Sequence, residues 1–590
     1  MHVCLNRPPF SEQEPVTEIL HGMSVTDSYR WLEDQDSPRT RAWIAEQTRY
    51  SRSYLDAIPG RDLIRRRIHE FLAVETHDSF QKLGDRYFFR KRLPDQEQPC
   101  IYMRDGAEAV DQLLIDPAER GTGSYTAVKP LRVSPDGRLL LYEVKEGGEK
   151  TGMFELLEIQ TRKRLPDLLA HGYLRGFVFA PDGKSFYFVH EALNTKRPYY
   201  RAVYHHVLGT DFSSDKVIFF GGEDRRVRLF IFPGERNFGI FVNRCFEKTY
   251  TDFYIQSFDL DSLPSPVVAD ADFRFEPILL NDRILALTDL GAPNLRIVAV
   301  CHPSSAGSQF IQVVPEHDTP ISAWNVAGEH ILVSYVKHPK TEVHIYHLRG
   351  CKIGELEVRD DECIRLNGGL SHNKELFFEK ESFTEPISTW RYSPNATKCT
   401  LWVKRTAPFD CADYGHLRVW YPSKDGTQVP MFLMGRRDVL TTGQHPTIMT
   451  SYGGHGISVT PQFSVFVAFL AERGCLFALP SIRGGSEFGV QWHNAAKRRN
   501  RQTAFDDFLC AAEWLIKSGR TARNKLAIFG GSNSGLLVGA ALTQRPDLFR
   551  AVICMVPMLD MLRYHLFDES HIWKDEFGTA DDPDDFTALR

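Results

Sequence analysis

The sequence predicts two structural parts: a doubly wound, mostly parallel α/β sheet with helices on both faces, and a β-propeller of seven blades. Short β-rich runs separated by turns recur at a nearly constant spacing through the middle of the chain. In the last third, strand-like runs alternate with helical ones, which is typical of a parallel sheet. One of these strands ends in a glycine-rich turn with a serine at its apex.

Residues 1–72 are predicted to be helical. Asp36, Ser37 and Pro38 form a helix-start signal, apolar residues follow at helical spacing, and Pro59-Gly60 ends the run. A second helix is predicted over 63–72. The pattern of both helices indicates packing rather than chemistry.

Residues 73–405 contain seven similar units, each a turn followed by a strand, spaced by 44 to 53 residues. A period of this length with several strands per unit is typical of a propeller blade. Two packed β-sandwiches are the alternative, but they do not require so regular a period. The marker residues of the seven turns are Asp85, Asp136, Asp182, Glu235, Asp282, Glu329 and Asn373.

Residues 406–590 are predicted to form the α/β sheet. Alternating or short apolar runs predict strands, and amphipathic runs between them predict helices. A helix over 505–516 begins with acidic residues and ends at Gly519. The predicted strands are 417–421, 429–434, 447–450, 475–479, 526–529 and 551–556, with a further helix at 463–473.

The stretch LAIFGGSNSGLLVGAAL at 526–542 predicts a strand, a tight turn at Gly530-Gly531, and a helix from about Leu536. Such a sharp bend lifts the hydroxyl of Ser532 above the sheet and turns the amide of Asn533 toward the same space as an oxyanion donor. The pattern departs from G-x-S-x-G at Ser534. A glycine-serine turn without chemistry, or a phosphate cradle, is the alternative reading of this stretch.

Composition excludes several classes of function. The 590 residues, 42% hydrophobic and 25% charged, are typical of a globular protein of several domains. A net charge of −5 without a basic block argues against nucleic acid as a partner. No apolar run of about 18 residues predicts a membrane span, and the N-terminus lacks an apolar secretory segment. The eleven cysteines are scattered singly, which favours free thiols in the cytoplasm over disulfides or a zinc site.

Eight motifs point to one family. They are VTEILHGMSVTDSYRWLEDQDSP near the N-terminus, VYHHVLGTD at 203–211, YPSKDGTQVPMFL at 421–433, SYGG at 451–454, IRGGSEFG at 482–489, FDDF at 505–508, GGSNSGLL at 530–537 and QRPDLF at 544–549. Together they resemble prolyl oligopeptidase. The resemblance implies an α/β-hydrolase domain built from residues 1–72 and 406–590, with the seven-bladed propeller of 73–405 inserted between them.

The same resemblance implies a serine endopeptidase that cleaves short proline-containing peptides after proline and acts as a monomer. Carried over by position, Ser532 is the nucleophile, and the Asn533 amide and the Tyr452 hydroxyl form the oxyanion hole. No cofactor or metal is expected, because an activated serine supplies covalent catalysis by itself.

The resemblance also assigns a pocket for the substrate proline. Trp573, in HIWKDEFG, stands where the family stacks an indole on the pyrrolidine ring. Further pocket positions fall on His455, Met558 and Phe577. His455 replaces an apolar aromatic residue and Phe577 replaces a tyrosine, so the sequence leaves the shape and polarity of the pocket open.

The catalytic base is the missing part of this pattern. A serine hydroxyl needs an imidazole held by a carboxylate, and in this fold the partners follow in the order serine, acid, histidine. Only 58 residues follow Ser532, and their two histidines, His565 and His571, belong to the segment leading to Trp573. The sequence therefore predicts a prolyl oligopeptidase lacking its C-terminal portion, with weak or no activity in the 590 residues alone.

Two alternatives stay open. A catalytically dead peptide-binding protein would use the same pocket and propeller without the base. An acylaminoacyl-type relative or an esterase is the third reading, which the segment around Trp573 and the long N-terminal match disfavour.

Overall fold

The computed structural model describes residues 7–120, 125–193, 201–224, 226–246, 248–281, 283–301, 309–337, 340–366, 375–407, 409–567 and 570–590. Antiparallel sheets fill the middle of the chain, and a six-stranded α/β sheet follows them. The fold is an α/β hydrolase with a β-propeller, as predicted.

The propeller is built from antiparallel sheets whose strands follow one another in chain order. Apolar side chains from neighbouring sheets pack together, for example Leu285 and Ile297 against Val326 and Val333. Five separate four-stranded blades consist of β3 (Thr76–Leu83), β4 (Arg86–Arg92), β5 (Cys100–Asp105) and β6 (Gln112–Ile115); β15 (Val227–Pro233), β16 (Asn237–Cys245), β17 (Thr249–Ser257) and β18 (Ser265–Ala271); β19 (Phe275–Leu279), β20 (Ile284–Thr288), β21 (Arg296–Cys301) and β22 (Gln309–Val314); β23 (Ile321–Ala327), β24 (His330–Lys337), β25 (Lys340–His347) and β26 (Lys352–Leu356); and β27 (Glu362–Leu366), β28 (Leu376–Ser382), β29 (Ser388–Ser393) and β30 (Lys398–Lys404).

The predicted count of seven blades was wrong. Besides the five four-stranded blades, the structure has one continuous sheet of eight strands. These strands are β7 (Ala127–Val133), β8 (Leu139–Lys145), β9 (Gly152–Glu158), β10 (Lys163–Arg164), β11 (Leu169–Phe179), β12 (Ser185–Ala192), β13 (Ala202–Val207) and β14 (Lys216–Phe220).

The pairing of β9 with β11 joins the eight strands into one sheet. β9 pairs with β11 through Gly152 opposite Gly172 and Phe154 opposite Leu169. Gly172 also pairs with Ala192 of β12, where a Cβ on Gly172 would lie 2.4 Å from the Glu191 carbonyl oxygen, so glycine permits the close approach of β11 to β12. The sequence period counts turn-and-strand units and cannot detect hydrogen bonds between them. Two of the marker residues, Asp282 and Asn373, lie outside the described residues.

The α/β sheet has the strand order β31-β32-β34-β33-β35-β36. Its first pairs are antiparallel, and β34, β33, β35 and β36 run parallel. The strands lie close to the predicted runs: β31 (Tyr414–Pro422), β32 (Gln428–Arg436), β33 (Thr447–Met449), β34 (Leu476–Pro480), β35 (Leu526–Gly531) and β36 (Ala551–Met555).

Helices cover this sheet and complete its core. Phe508 and Leu515 of one helix and Val538 of another pack on Ile528 of β35, all of them buried. The helices are α1 (Pro38–Asp56), α2 (Arg61–Leu72), α3 (Arg437–Thr441), α4 (Val465–Glu472), α5 (Val490–Asn494), α6 (Gln502–Lys517), α7 (Asn533–Gln544), α8 (Lys574–Phe577) and α9 (Pro583–Leu589). Among the described residues, no helix combines the length and the apolar character that crossing a bilayer requires.

The N-terminal region is not wholly helical, which corrects the prediction for residues 1–72. β1 (Val16–Leu20) and β2 (Met23–Asp27) form a two-stranded hairpin. This hairpin region contacts the last part of the chain, where His21 Nε2 lies 2.8 Å from the Ala580 carbonyl oxygen and Arg563 Nε lies 2.8 Å from Glu33. The beginning of the chain therefore stabilises the segment that carries Trp573.

Candidate active site

Ser532 occupies the bend between β35 and α7. Its φ of 57° and ψ of −125° lie in a region that residues other than glycine rarely adopt, and its side chain is exposed. Flanking glycines permit the bend: a Cβ on Gly530 would lie 2.2 Å from the Ser534 carbonyl oxygen, and one on Gly535 would lie 2.9 Å from Pro557. The bend presents the hydroxyl above the carboxyl edge of the sheet.

Ser534 replaces the usual glycine of this elbow without disturbing it. The residue is buried, and its hydroxyl donates a hydrogen bond of 2.5 Å to the Ser451 carbonyl oxygen. This bond joins α7 to the loop after β33. The departure from G-x-S-x-G is therefore accommodated by a specific contact.

Tyr452 reaches the same edge of the sheet because β33 and β35 are parallel neighbours. Asn533 Nδ2 donates to the Tyr452 carbonyl oxygen at 2.5 Å, which fixes the Tyr452 loop to the start of α7. As the first residue of α7, Asn533 has a backbone amide without an acceptor inside the helix. The structure thus brings together Ser532, the Asn533 amide and the loop that carries the Tyr452 phenol.

The four predicted pocket residues lie in one region. Met558 and Trp573 pack against a buried cluster that contains Phe577 and Leu536. The His455 ring lies edge-on to Phe577, with ring centroids 5.4 Å apart. Because Leu536 follows Ser532 by one helical turn, this apolar cluster adjoins the elbow.

A buried network behind the pocket was missed from the sequence. Arg501 donates to the Gly453 carbonyl oxygen at 2.7 Å and to Glu576 at 2.6 Å, and its guanidinium lies 4.8 Å from the centre of the Phe577 ring. Glu576 also accepts the His455 backbone amide and pairs with His493, both at 2.8 Å. These contacts hold the Gly453–His455 backbone and the Phe577 ring in fixed relation.

Charge compensation keeps Glu576 ionised. Burial alone would raise the pKa of this carboxyl, but the hydrogen bond with His493 and the charge of Arg501 outweigh burial and lower the pKa to about 2. No local sequence signal joined Arg501 to Glu576, which lies 75 residues away.

No described residue hydrogen-bonds the Ser532 hydroxyl. His565 is buried, and its Nε2 lies 3.5 Å from Asp581, while burial lowers its pKa. His571 lies in the same segment and makes no hydrogen bond with Ser532. Within the described ranges, the serine is therefore not paired with an imidazole.

One group of described carboxylates is close enough to suggest a cation. Asp27, Glu33 and Asp560 place oxygens within 4.8 Å of one another. Arg30 lies 3.1 Å from Asp27 and Arg563 lies 2.8 Å from Glu33. The arginines already compensate this charge, so the group does not indicate a metal centre.

Comparison with known proteins agrees with this geometry. The family model "Prolyl oligopeptidase, N-terminal beta-propeller domain" matches residues 8–405, and the model "Prolyl oligopeptidase family" matches residues 461–590. A prolyl endopeptidase of Elizabethkingia miricola is 29% identical, with 96% of this chain and 81% of that protein covered. A prolyl endopeptidase of Dictyostelium discoideum is also 29% identical, with 99% and 87% covered.

Solved structures have the same fold. A structure from a study of two prolyl endopeptidases superposes with a TM-score of 0.90 at 30% identity, covering 98% of this chain and 87% of the other. Prolyl oligopeptidase B of Galerina marginata, at 22% identity, superposes with a TM-score of 0.88 over 98% of this chain and 86% of its own. Both the sequence matches and the architecture lead to one conclusion: this chain belongs to the prolyl oligopeptidase family.

Proposed function

We propose that this protein is a serine peptidase that hydrolyses short peptides on the carboxyl side of proline through an acyl-enzyme. The observation that carries the proposal is the exposed Ser532 hydroxyl on a strained elbow, next to the Tyr452 loop and the apolar cluster with Trp573. Relatives named prolyl endopeptidase support the same reaction.

In the proposed first step, Ser532 Oγ attacks the carbonyl carbon of the proline residue and its proton passes to a base. The carbonyl oxygen gains negative charge, which the Asn533 amide and the Tyr452 hydroxyl stabilise, each by roughly 3 kcal/mol. The C–N bond then breaks as the leaving amine is protonated, and water hydrolyses the resulting ester.

The pocket residues determine the choice of proline in this proposal. The partly buried Trp573 and Met558 offer apolar surface to a rigid pyrrolidine ring, which loses little conformational entropy on binding, and the buried Phe577 packs behind them. His455 adds one polar side chain at the edge of Phe577. The Arg501–Glu576 pair positions this wall and does not contact the substrate.

The proposed reaction depends on an imidazole, because a serine hydroxyl is a weak nucleophile without a base. No described residue supplies one to Ser532 by a hydrogen bond. We therefore expect the 590-residue chain alone to turn over proline peptides weakly or not at all.

Peptide binding without cleavage is the second candidate. The observation that favours it is that no residue in the described ranges hydrogen-bonds the Ser532 hydroxyl. This candidate uses the same pocket, so it predicts proline-selective binding in the absence of any turnover that depends on Ser532.

Chemical rescue separates the two candidates. Turnover of a fluorogenic Gly-Pro peptide is measured with increasing concentrations of imidazole, beside a matched Gly-Ala peptide and the Ser532→Ala variant. A peptidase gains turnover with imidazole on the Gly-Pro peptide only, and loses this gain in Ser532→Ala. Proline-selective quenching of tryptophan fluorescence without any rescue supports the binding protein instead. A result that shows no binding and no rescue would contradict both candidates.

We also propose a division of the chain into a hydrolase domain of residues 1–72 and 406–590 and a propeller domain of 73–405. In addition we propose that the protein acts as a monomer in the cytoplasm. The ten cysteines in the described part of the chain are all free thiols, which supports a reducing compartment. Light scattering of the purified protein tests the monomer, since a mass near 135 kDa rather than 67.5 kDa would contradict it.

A further inference from the structure

Four inner strands of the propeller end around a small cavity of about 250 Å³. Leu83, Val133, Phe179 and Pro233 are the last residues of β3, β7, β11 and β15, and all four line the cavity. Phe258 and further apolar groups complete its wall. The cavity is therefore a mostly apolar depression on one face of the propeller.

This face is turned away from the α/β sheet. β19 is the equivalent inner strand of another blade, and its first residue, Phe275, lines a different cavity together with Asp575. Inner strands of a propeller run in the same direction, so their starts face the α/β part and their ends face away from it. The cavity at the strand ends is thus separate from the pocket with Trp573.

Arg132 lines this cavity, and the described residues provide no counter-ion for its guanidinium. Its Nη1 is inaccessible to water and makes no hydrogen bond, and no residue in the described ranges forms an ion pair with it. Arg86 and Arg138, in adjacent turns, donate instead to the carbonyl oxygens of Gly137 at 3.0 Å and Gly183 at 3.4 Å. Burial alone lowers the pKa of Arg132 to about 10, so its guanidinium stays protonated at neutral pH.

Neither Glu235 in the lining nor Asp136 in the turn after β7 compensates this charge. Glu235 lines the cavity, but it is exposed at the rim, and burial alone shifts the pKa of Arg132. Asp136 accepts hydrogen bonds from the Ser134 hydroxyl at 2.5 Å and from the Arg138 amide at 3.0 Å. A partly buried cation whose inaccessible Nη1 has no hydrogen-bond partner is costly, and an anionic ligand would reduce that cost.

We propose that this cavity binds the C-terminal carboxylate of a short peptide, with Arg132 as the anchor and the last, apolar side chain of the peptide against Phe179 and Phe258. A guanidinium recognises a carboxylate by paired hydrogen bonds. The apolar wall adds affinity for a peptide terminus, because it buries an amino-acid side chain, which an inorganic anion does not have. The peptide nature of the ligand rests on the proposed function, but binding does not require Ser532 or proline.

Isothermal titration calorimetry tests the site with three probes: acetyl-Leu-Leu with a free carboxylate, the same dipeptide as its C-terminal amide, and inorganic phosphate. These probes contain no proline, so the result is independent of the proline pocket. The proteins are the full chain, Arg132→Gln, Arg132→Met and the matched control Arg138→Gln. Thermal denaturation of each variant verifies that it is folded.

The full chain and Arg138→Gln are expected to bind the free acid with an affinity at least about tenfold higher than that of Arg132→Gln or Arg132→Met. On the full chain, the amide probe is expected to bind more weakly than the free acid by a similar factor. Equal binding of acid and amide, or unchanged binding by both folded Arg132 variants, would overturn the proposal. Phosphate binding as tightly as the acid would overturn the assignment to a peptide terminus.

Discussion

Two regions of the molecule each contain part of a serine–histidine–aspartate arrangement. In the propeller, His206 is fully buried, with Nδ1 2.6 Å from Asp215 and Nε2 3.0 Å from Asp167, and its ring stacks on Phe212. In the α/β sheet, Ser532 is exposed and no described residue hydrogen-bonds its hydroxyl. In the part of the chain that the structure describes, carboxylates hold an imidazole inside the propeller, whereas no imidazole hydrogen-bonds the nucleophile at the elbow.

The difference teaches that accessibility, rather than residue type, decides the role of such groups. Both ring nitrogens of His206 are used by carboxylates, and no substrate can reach them, so the cluster stabilises the fold. Ser532 leaves its hydroxyl free at the edge of the sheet, which is a conformation that a purely structural residue does not need. The following variants probe this contrast, from the largest expected effect to the smallest.

Ser532→Ala is expected to give the largest change. All turnover of a Gly-Pro peptide that depends on the serine, with or without added imidazole, should fall to the solvent background because no nucleophile remains. Rates of fluorophore release measure this. The matched control is Ser534→Ala, which removes a buried hydrogen bond two residues away and should retain most of the turnover; an equal loss in both variants would contradict the assignment of Ser532.

His206→Gln is expected to lower the free energy of unfolding by about 3 to 5 kcal/mol, because it leaves two buried carboxylates without their cation. Chemical denaturation followed by fluorescence measures the change. His347→Gln is the control, since its partner Glu329 is largely exposed and the pair contributes little. A loss below 1 kcal/mol in His206→Gln would show that the cluster is not a structural ion group.

Glu576→Gln is expected to lower the free energy of unfolding by about 2 to 3 kcal/mol and to weaken binding of proline peptides. The neutral amide leaves Arg501 buried without a counter-ion and loosens the contact with the His455 amide. Asp575→Asn, next in sequence but largely exposed, is the control. If binding weakens while stability stays unchanged, Glu576 acts in recognition rather than as a positioning residue.

The smallest expected effect is a dependence of stability on pH through His206. Burial alone would lower the pKa of His206, but hydrogen bonds to Asp215 and Asp167 outweigh burial and raise it. A raised pKa in the folded state means that the stabilisation is fully present below about pH 6.5, the usual value, and is lost as pH rises through the folded pKa. The difference in stability between the full chain and His206→Gln should shrink over that range; a difference that grows with pH would contradict the assignment.

Local signals predicted the elbow well. The strand, the two glycines and the serine are consecutive in sequence, so their geometry is determined within a few residues and needs no distant contact. The helix start at Ser37 was equally local, since its side chain accepts the Thr40 amide. The family resemblance added Tyr452 and Trp573, which no local pattern would have joined to Ser532.

Distant contacts explain what the sequence did not predict. Gly152 and Gly172 join two repeat units into one sheet, and spacing alone cannot reveal such a pairing. Arg501 and Glu576 meet only after the sheet and its helices have assembled. The N-terminal hairpin, which was missed, turns at His21 and Gly22, and both have the positive φ that a two-residue turn requires. The helical pattern of the following residues had dominated the interpretation.

The contact between His21 and the Ala580 carbonyl oxygen constrains how the protein matures. The two residues are 559 positions apart, so at about 5 to 20 residues per second the ribosome adds Ala580 roughly half a minute to two minutes after His21. Throughout that interval the hairpin has no docking partner, while the propeller emerges and can fold. Newborn chains therefore expose the hairpin to chaperones and proteases until the segment around Ala580 has emerged.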